Sequence, residues 1–440
     1  MSSRRLQSIA ASVLAGGAAS VCLSFSSPSH AGGFYIQEQS TRGAGRAYSG
    51  EGADMGPESI WWNPAAIASS PTEAFASVSG IFPSSGIDDR GSTLTFPGAP
   101  PVTVPVGGDP HATDPILPGV TAGTGFGMPL NDRFAIGLAI TTPFDFVTDY
   151  KEDSFARFGA IKSRLDTVDV QPTVAVKATP WLDLGLSADA VYSSARLTNA
   201  SPNLVPGVPD GFSNLHGDGW NWGWTFGAQL HGSDDKWRAG VSYRASVGHE
   251  LSGEASLTGL VGPLAGANFV THADATFSTP WILTFSMRAK VTDKLTLDGQ
   301  LQRLGWSEFR SIDVNLPFGV DVIPQNYQDV TSAALGVDYA PNPIVTVRAG
   351  LQWDPTPTPE VGRTLRVPDS NRWLFSAGGE MKLPANLTVE GAIEYVDFLG
   401  SHIDNTDVFY PGTPAQTLAQ NSADITANAV VISGGVRWRF

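Results

Sequence analysis

Leu295, Leu297, Gly299 and Leu301 alternate with Thr296, Asp298, Gln300 and Gln302, and the same beat returns along the chain. Leu182, Leu184, Leu186 and Ala188 oppose Asp183, Gly185, Ser187 and Asp189; Leu283, Phe285, Met287 and Ala289 oppose Thr284, Ser286, Arg288 and Lys290. A period of two gives a strand one apolar and one polar face. Short turn signals stand at 129–132, 178–180, 232–235, 292–294, 340–343 and 383–386. Much longer connections run between them, at 83–117, 196–219, 251–271, 308–327, 354–370 and 399–423. Short turns on one side and long loops on the other describe an outer-membrane β-barrel; a soluble sandwich has no need of that asymmetry. The expected fold is all-β: an antiparallel transmembrane barrel of about fourteen strands, an even number as such barrels require. Thr276–Val291 is counted as one strand disturbed near Pro280, which keeps every short turn on the same side.

Composition agrees and narrows the choice. Only 16% of residues are charged, 42% are hydrophobic, and the formal charge of -15 forms no basic stripe, so nucleic acid is not an expected partner. Arg4 and Arg5 precede an apolar run to about Phe25, with Ser29 and Ala31 at the positions of a cleavage site. Residues 1–31 therefore read as a secretory signal peptide. Their removal takes away two arginines and Cys22, the only cysteine, so no disulfide within the mature chain is possible. Beyond them no apolar run is long enough for a spanning helix, and strands must carry any membrane role. In the last strand Val430, Ile432, Val436, Trp438 and Phe440 share a face, the terminal Phe resembling a signal for barrel assembly machinery. Trp181, Trp281, Trp306, Trp353 and Trp373, with Trp220, Trp222 and Trp224, read as interfacial girdles.

Residues 32–71 are too many for a tail and too few for a domain with its own core. A barrel of about fourteen strands is wider than its own side chains can fill, and the inward set holds Asp183, Asp189, Arg288, Lys290, Asp298, Arg348, Glu380, Lys382, Glu390 and Glu394. The segment is therefore expected inside the lumen as a plug, with 72–440 as the barrel and Asn63-Pro64-Ala65 as a fixed turn at its base. Two outer connections are unusually apolar: Leu204, Val205, Val208 and Phe212 in one, Leu257, Leu260, Leu264 and Phe269 in the other. They suggest a groove for greasy molecules; the alternative is that the loops pack on each other.

Several stretches resemble the FadL family of outer-membrane long-chain fatty acid and hydrocarbon transporters: "GAGRAYSGEGA…NPAAIA", "RFGAIKSRLDTVDVQPTVAVKATPWLDLGLSADAVY", "TDKLTLDGQLQRLGWSEF", "WDPTPTP…RVPDSNRWLFSAG" and the aromatic last strand. The resemblance covers the mature chain. It implies a fourteen-stranded barrel with an N-terminal hatch, capture of ligand between the two apolar loops, and release sideways at a kinked third strand. That strand is expected at about Arg133–Thr142, with Gly137 inside it and Pro143 after it as sites of weakened pairing. Arg157 matches a family arginine associated with the ligand carboxylate; its alternative is an internal salt bridge. Gln328 stands where fatty-acid transporters carry a lysine, which leaves room for neutral hydrocarbons. Asp369 and Arg372 also match, as an architectural pair.

The resemblance further implies a long-chain fatty acid or other hydrophobic small molecule as partner, with outer-membrane lipid and lipopolysaccharide around a monomeric barrel in a Gram-negative cell. No nucleophile motif, metal-ligand spacing or phosphate loop appears, so neither an enzyme nor a cofactor is expected. The rival readings are a general porin for small polar solutes, which needs no plug, and a surface adhesin or phage receptor.

Overall fold

A computed structural model describes residues 33–205, 207–233 and 236–440; the expected signal peptide lies outside the described residues. Fourteen antiparallel staves close into a barrel. They are β1 (Glu73–Asp89), β2 (Gly119–Pro129), β3 (Phe134–Thr141, resumed at Phe146–Asp149), β4 (Lys162–Thr179), β5 (Leu182–Ser201) and β6 (Gly211–His231). Next come β7 (Trp237–Arg244 and Gly248–Thr258), β8 (Phe269–Ser278 and Trp281–Lys290), β9 (Leu295–Gly305 and Ser311–Leu316) and β10 (Gly319–Pro324 and Val330–Tyr339). The last are β11 (Val345–Asp354), β12 (Arg372–Leu383), β13 (Leu387–Phe409) and β14 (Thr417–Arg439). The wall closes where β1 pairs with β14, in one register from Glu73↔Arg439 to Asp89↔Ala423.

Burial is inverted relative to a soluble protein. Leu186, Leu297, Leu301, Phe285 and Met287 are exposed on the outside, while Asp183, Asp189, Asp298, Arg348 and Glu394 are buried inside. Such a surface is stable only against lipid. The short turns are closed by side chains that cap their own backbone: Asn131 Oδ1 accepts from the Arg133 and Phe134 amides, and Asn342 Oδ1 from those of Ile344 and Val345. The stave broken at Pro280 is one stave, for both halves of β8 pair with β7 in a single register.

Two expectations about the loops and girdles need correction. Most of the long connections are strand: β5 and β6 have 20 and 21 residues, β13 and β14 have 23 each, and the outer parts of β9 and β10 form a hairpin over 311–324. A tilted spanning strand needs about 9–11 residues, so these staves stand well clear of the membrane. There both faces meet water, the alternation fades, and the sequence resembles loop. Trp306 is no girdle residue; it is fully buried, edge-on to Phe34 at 4.8 Å.

Residues 33–71 touch the inward faces of the wall all round. They form one helical turn, Thr41–Ala44, capped by Ser40, and three 3-10 turns, the last of them Pro64–Ile67 capped by Asn63. Nearly every side chain is buried, yet the segment has no core of its own; the wall is its core. Inward-facing glycines make the room. A methyl added at Gly123, Gly185, Gly227, Gly240 or Gly350 would overlap Gln39, Ala65, Asn63, Gly52 or Arg46 respectively. Gly137 belongs to this set. It stays paired with both Gly127 and Thr173, and a methyl there would meet Ile67 Cδ1 at 2.9 Å and Ile60 Cδ1 at 3.0 Å. Its role is a seat for the plug, not the weakened pairing expected of it.

Candidate functional site

Three features meet on the outer side of the plug: a break in β3, the plug's first residues, and an apolar cavity. β3 pairs with β2 only from Ala135↔Pro129 to Ile140↔Thr124, while it continues on β4 across residues 142–145. Pro143 has no amide hydrogen to give the ladder and favours extended backbone before it. The chain here turns inward and finds its partners on the plug. Pro143 O accepts from Ile36 N at 2.8 Å, Phe34 O from Asp145 N at 3.0 Å, and Tyr35 bridges to Phe144.

Gln39 occupies the breach this leaves beside β2. Its amide nitrogen donates to Thr142 O at 2.9 Å and its amide oxygen accepts from Thr142 N at 2.9 Å, so one side chain does the work of a missing strand residue. Its backbone carbonyl accepts from Ser77 Oγ at 3.3 Å. The hydroxyls of Thr121 and Thr142 touch across the gap.

Above this lies a narrow apolar slot, open at its mouth. Phe34 forms its floor, caged by Phe144, Phe146, Trp306, Phe309 and Tyr327 with ring centroids 4.8–6.4 Å away. Leu165, Leu197, Leu215, Leu251, Phe277 and Val367 form its walls, with Arg164, His216, Gln325 and Arg366 as polar contributors. Such a lining suits a slender apolar molecule. Gly33 N, just before the floor, donates to Asp369 Oδ2 at 2.8 Å, and Asp369 lies 3.8 Å from Arg372.

The residues picked from sequence fall in different places. Arg157 does not line the slot: it pairs with Asp210 at 3.0 Å and donates to the carbonyls of Gly107, Val106 and Ser154. Gln328 is exposed and donates its backbone N–H to Pro357 O. The two do not meet. Leu260 and Leu264 are buried under the loop 259–268, and Asn203 ties that loop to 202–210 through Gly259 O and Val261 N. Val205 would be met by a methyl on Gly262, and Leu204 and Val208 lie half-buried in the same loop as Val205. Phe212 and Leu257 sit on β6 and β7, and Phe269 stacks edge-on with Phe318 at 5.1 Å. Asn63 donates to Gly52 O at 2.7 Å and Ala228 O at 3.1 Å, which fixes Pro64 and Ala65 against the wall at Gly185. Sequence reading missed Phe34, Gln39, Gln325 and Arg366; Gln39 lies in the polar run Gln37–Arg42 and does not stand out from its neighbours.

Below the breach the plug is held by charge. Arg46 pairs with Glu51, with Asp54 at 2.6 Å and with Asp338 of the wall at 3.2 Å; Arg288 reaches Asp54 at 3.2 Å, and Arg437 reaches Glu58 at 3.5 Å. Arg244 lies over the Trp61 ring at 3.5 Å and pairs with Asp169 at 2.8 Å.

Known proteins share this architecture. A Pseudomonas aeruginosa FadL homologue of known structure superposes with a TM-score of 0.80 at 20% identity, over 93% of this chain and all of that one. The Pseudomonas putida toluene transporter TodX gives 0.63 at 19% identity, over 90% and 98%. By sequence, the chain is 27% identical over 382 residues to a long-chain fatty acid transport protein of Escherichia coli O6:H1, covering 79% of this chain and 82% of that protein. It is 23% identical to outer membrane protein P1 of Haemophilus influenzae, over 91% and 93%. The family model described as outer membrane protein transport protein (OMPP1/FadL/TodX) matches residues 22–440. The chain thus belongs to the OMPP1/FadL/TodX family: it is a transport protein of the Gram-negative outer membrane, and not an enzyme.

Proposed function

We propose that this protein takes up hydrophobic compounds, long-chain fatty acids or related lipids and hydrocarbons, and releases them sideways through the wall at the β3 break. The observation that carries the reading is the arrangement of slot, Phe34 and breach: an apolar cavity ends on a plug residue whose neighbours Ile36 and Gln39 close a gap in the wall. Apolar ligand entering from outside meets the exposed Phe318, Val320 and Val270 at the rim, then the slot. Withdrawal of residues 34–39 joins the slot to the breach. An apolar molecule gains by passing straight into lipid and gains nothing from a polar lumen. The charged plug below keeps that lumen shut to solutes, which is why a general porin is the poorer reading.

A disulfide across the breach tests this. Thr121→Cys with Thr142→Cys, in a mature chain without other cysteines, should stop uptake of a labelled fatty acid or hydrocarbon when oxidised and restore it on reduction. Uptake that continues with the bond formed would rule out lateral release here.

A further inference from the structure

The outer face of the wall carries a basic row that its own register makes unfavourable. Arg164 of β4 stands directly opposite Arg196 of β5, and His216 of β6 stands opposite Arg196 on the other side. Their side chains lie outside the barrel, for Ser163, Leu165 and Leu197, which alternate with them, are buried inside. Like charges set directly opposite each other destabilise a pair of strands. Arg164 is partly neutralised, its Nε and Nη2 both donating to Asp166. Lys162, one step further out on β4, pairs with Asp149 at 2.8 Å. Beyond His216 the row ends on an acid, Glu254 of β7. Arg196 is exposed, donates to Asn214 Oδ1 at 2.9 Å and makes no ion pair among the described residues.

With Asp166, Ser194 and Asp218 these side chains line an open recess of about 510 Å³. It backs on the slot, with which it shares Arg164, Ala195, His216 and Gly217. Its depth follows from the length of β6. A tilted strand crosses the hydrocarbon in about 9–11 residues, a stretch that on β6 runs from Leu230, beside the short turn, to Trp220. Trp220, Trp222 and Trp224 are exposed along it, and the Trp220 ring lies 5.4 Å from that of Tyr192. His216 and Asp218 follow directly above these rings, so the recess opens at the level of the lipid headgroups.

We propose that this recess binds a phosphorylated glycolipid of the outer leaflet, with one phosphate between Arg164 and Arg196. The two guanidiniums give that phosphate charge-assisted hydrogen bonds, and the anion relieves the repulsion built into the row. Asp218, which accepts from Tyr192 Oη at 3.1 Å, would repel a phosphate but accepts from a sugar hydroxyl. The faces of Tyr192 and Trp220 take the apolar side of the sugar ring, and the acyl chains run down past Trp222 and Trp224. A phospholipid carries no ring to lay on those two faces. The site is independent of the transported molecule: it lies outside the wall and turns one lipid of the surrounding layer into a bound partner.

The test uses the full-length barrel folded from urea into micelles, so that it carries no cellular lipid, and counts bound molecules by native mass spectrometry. The probes are diphosphoryl lipid A, its fully dephosphorylated form, phosphatidylglycerol and inorganic phosphate. Wild type should hold one diphosphoryl lipid A about ten- to a hundredfold more tightly than the dephosphorylated form, the worth of charge-assisted hydrogen bonds. Arg196→Gln should lose most of that preference and Arg196→Lys should recover part of it. Trp220→Ala should weaken both forms alike and leave the preference intact, with gel mobility before and after heating confirming a folded barrel for each variant. Equal retention of the two forms by wild type, or an undiminished preference in Arg196→Gln, overturns the phosphate site. Phosphatidylglycerol held as tightly as lipid A, or lipid A unaffected by Trp220→Ala, overturns the choice of a glycolipid. Retention of inorganic phosphate without either lipid overturns the lipid site altogether.

Discussion

The middle of the plug, residues 42–58, and its tip, residues 34–39, meet the same wall with different chemistry. The middle is bound by buried ion pairs, Arg46 with Asp338, Arg288 with Asp54 and Arg437 with Glu58. The tip is bound by aromatic contacts around Phe34 and neutral hydrogen bonds from Ile36 and Gln39, and its one carboxylate, Glu38, is buried without an ion pair among the described residues. An apolar ligand in the slot can replace ring contacts, and water or lipid at the breach can loosen neutral hydrogen bonds. Neither can replace a buried charge pair. On the proposed reading, the difference divides the segment into a fixed seal and a movable tongue.

Breaking the seal should have the largest effect. Arg46→Ala removes the cation shared by Glu51, Asp54 and Asp338 and leaves them to Arg42, Arg288 and Arg348, at a cost of about 3–5 kcal/mol. The variant should show a steady ion current in planar bilayers where the parent protein is closed; a closed variant would mean that charge does not hold the plug. Phe34→Ala should come next, at about 3 kcal/mol in thermal unfolding without ligand. Because a ligand can refill the cage, the loss should shrink when the slot is saturated, and an equal loss with and without ligand would argue against a tongue that ligand displaces.

Gly240→Val pushes a side chain onto Gly52 and should cost about 1–3 kcal/mol as overpacking. Its signature is a raised basal current, since the seal is shifted and not the tongue. The smallest change in stability belongs to Gln39→Ala, about 1 kcal/mol for exchanged neutral hydrogen bonds. It should speed hydrophobic uptake severalfold with no added current; slower uptake would show that Gln39 guides ligand instead of stopping the breach.

The barrel was legible in the chain because its rules are local. Alternation, Asx turns at Asn131 and Asn342, and the parity that kept Thr276–Val291 as one stave are all short-range signals. The length of the N-terminal segment pointed to a plug. The slot was not legible, because it is assembled from Phe34, Phe277, Phe309, Gln325 and Arg366, five separate parts of the chain with no periodicity in common. Arg157 stands in a family motif, but its surroundings are supplied by Asp210 and the carbonyls of Val106 and Gly107, which no local pattern reveals. Glycines in strands carry a similar ambiguity: Gly137 has the sequence appearance of a weak point and the structural role of a seat.

The seam between β1 and β14 has one more consequence, for how the protein is made. The register that sets Glu73 opposite Arg439 also sets Arg437 against Glu58 of the plug and Gly435 beneath Thr41. Zipping the last strand and seating the plug are one geometric event. If the last strand zips onto β1 only in this register, a closed wall is one whose interior is already filled, and the protein should reach the envelope without passing through an open pore.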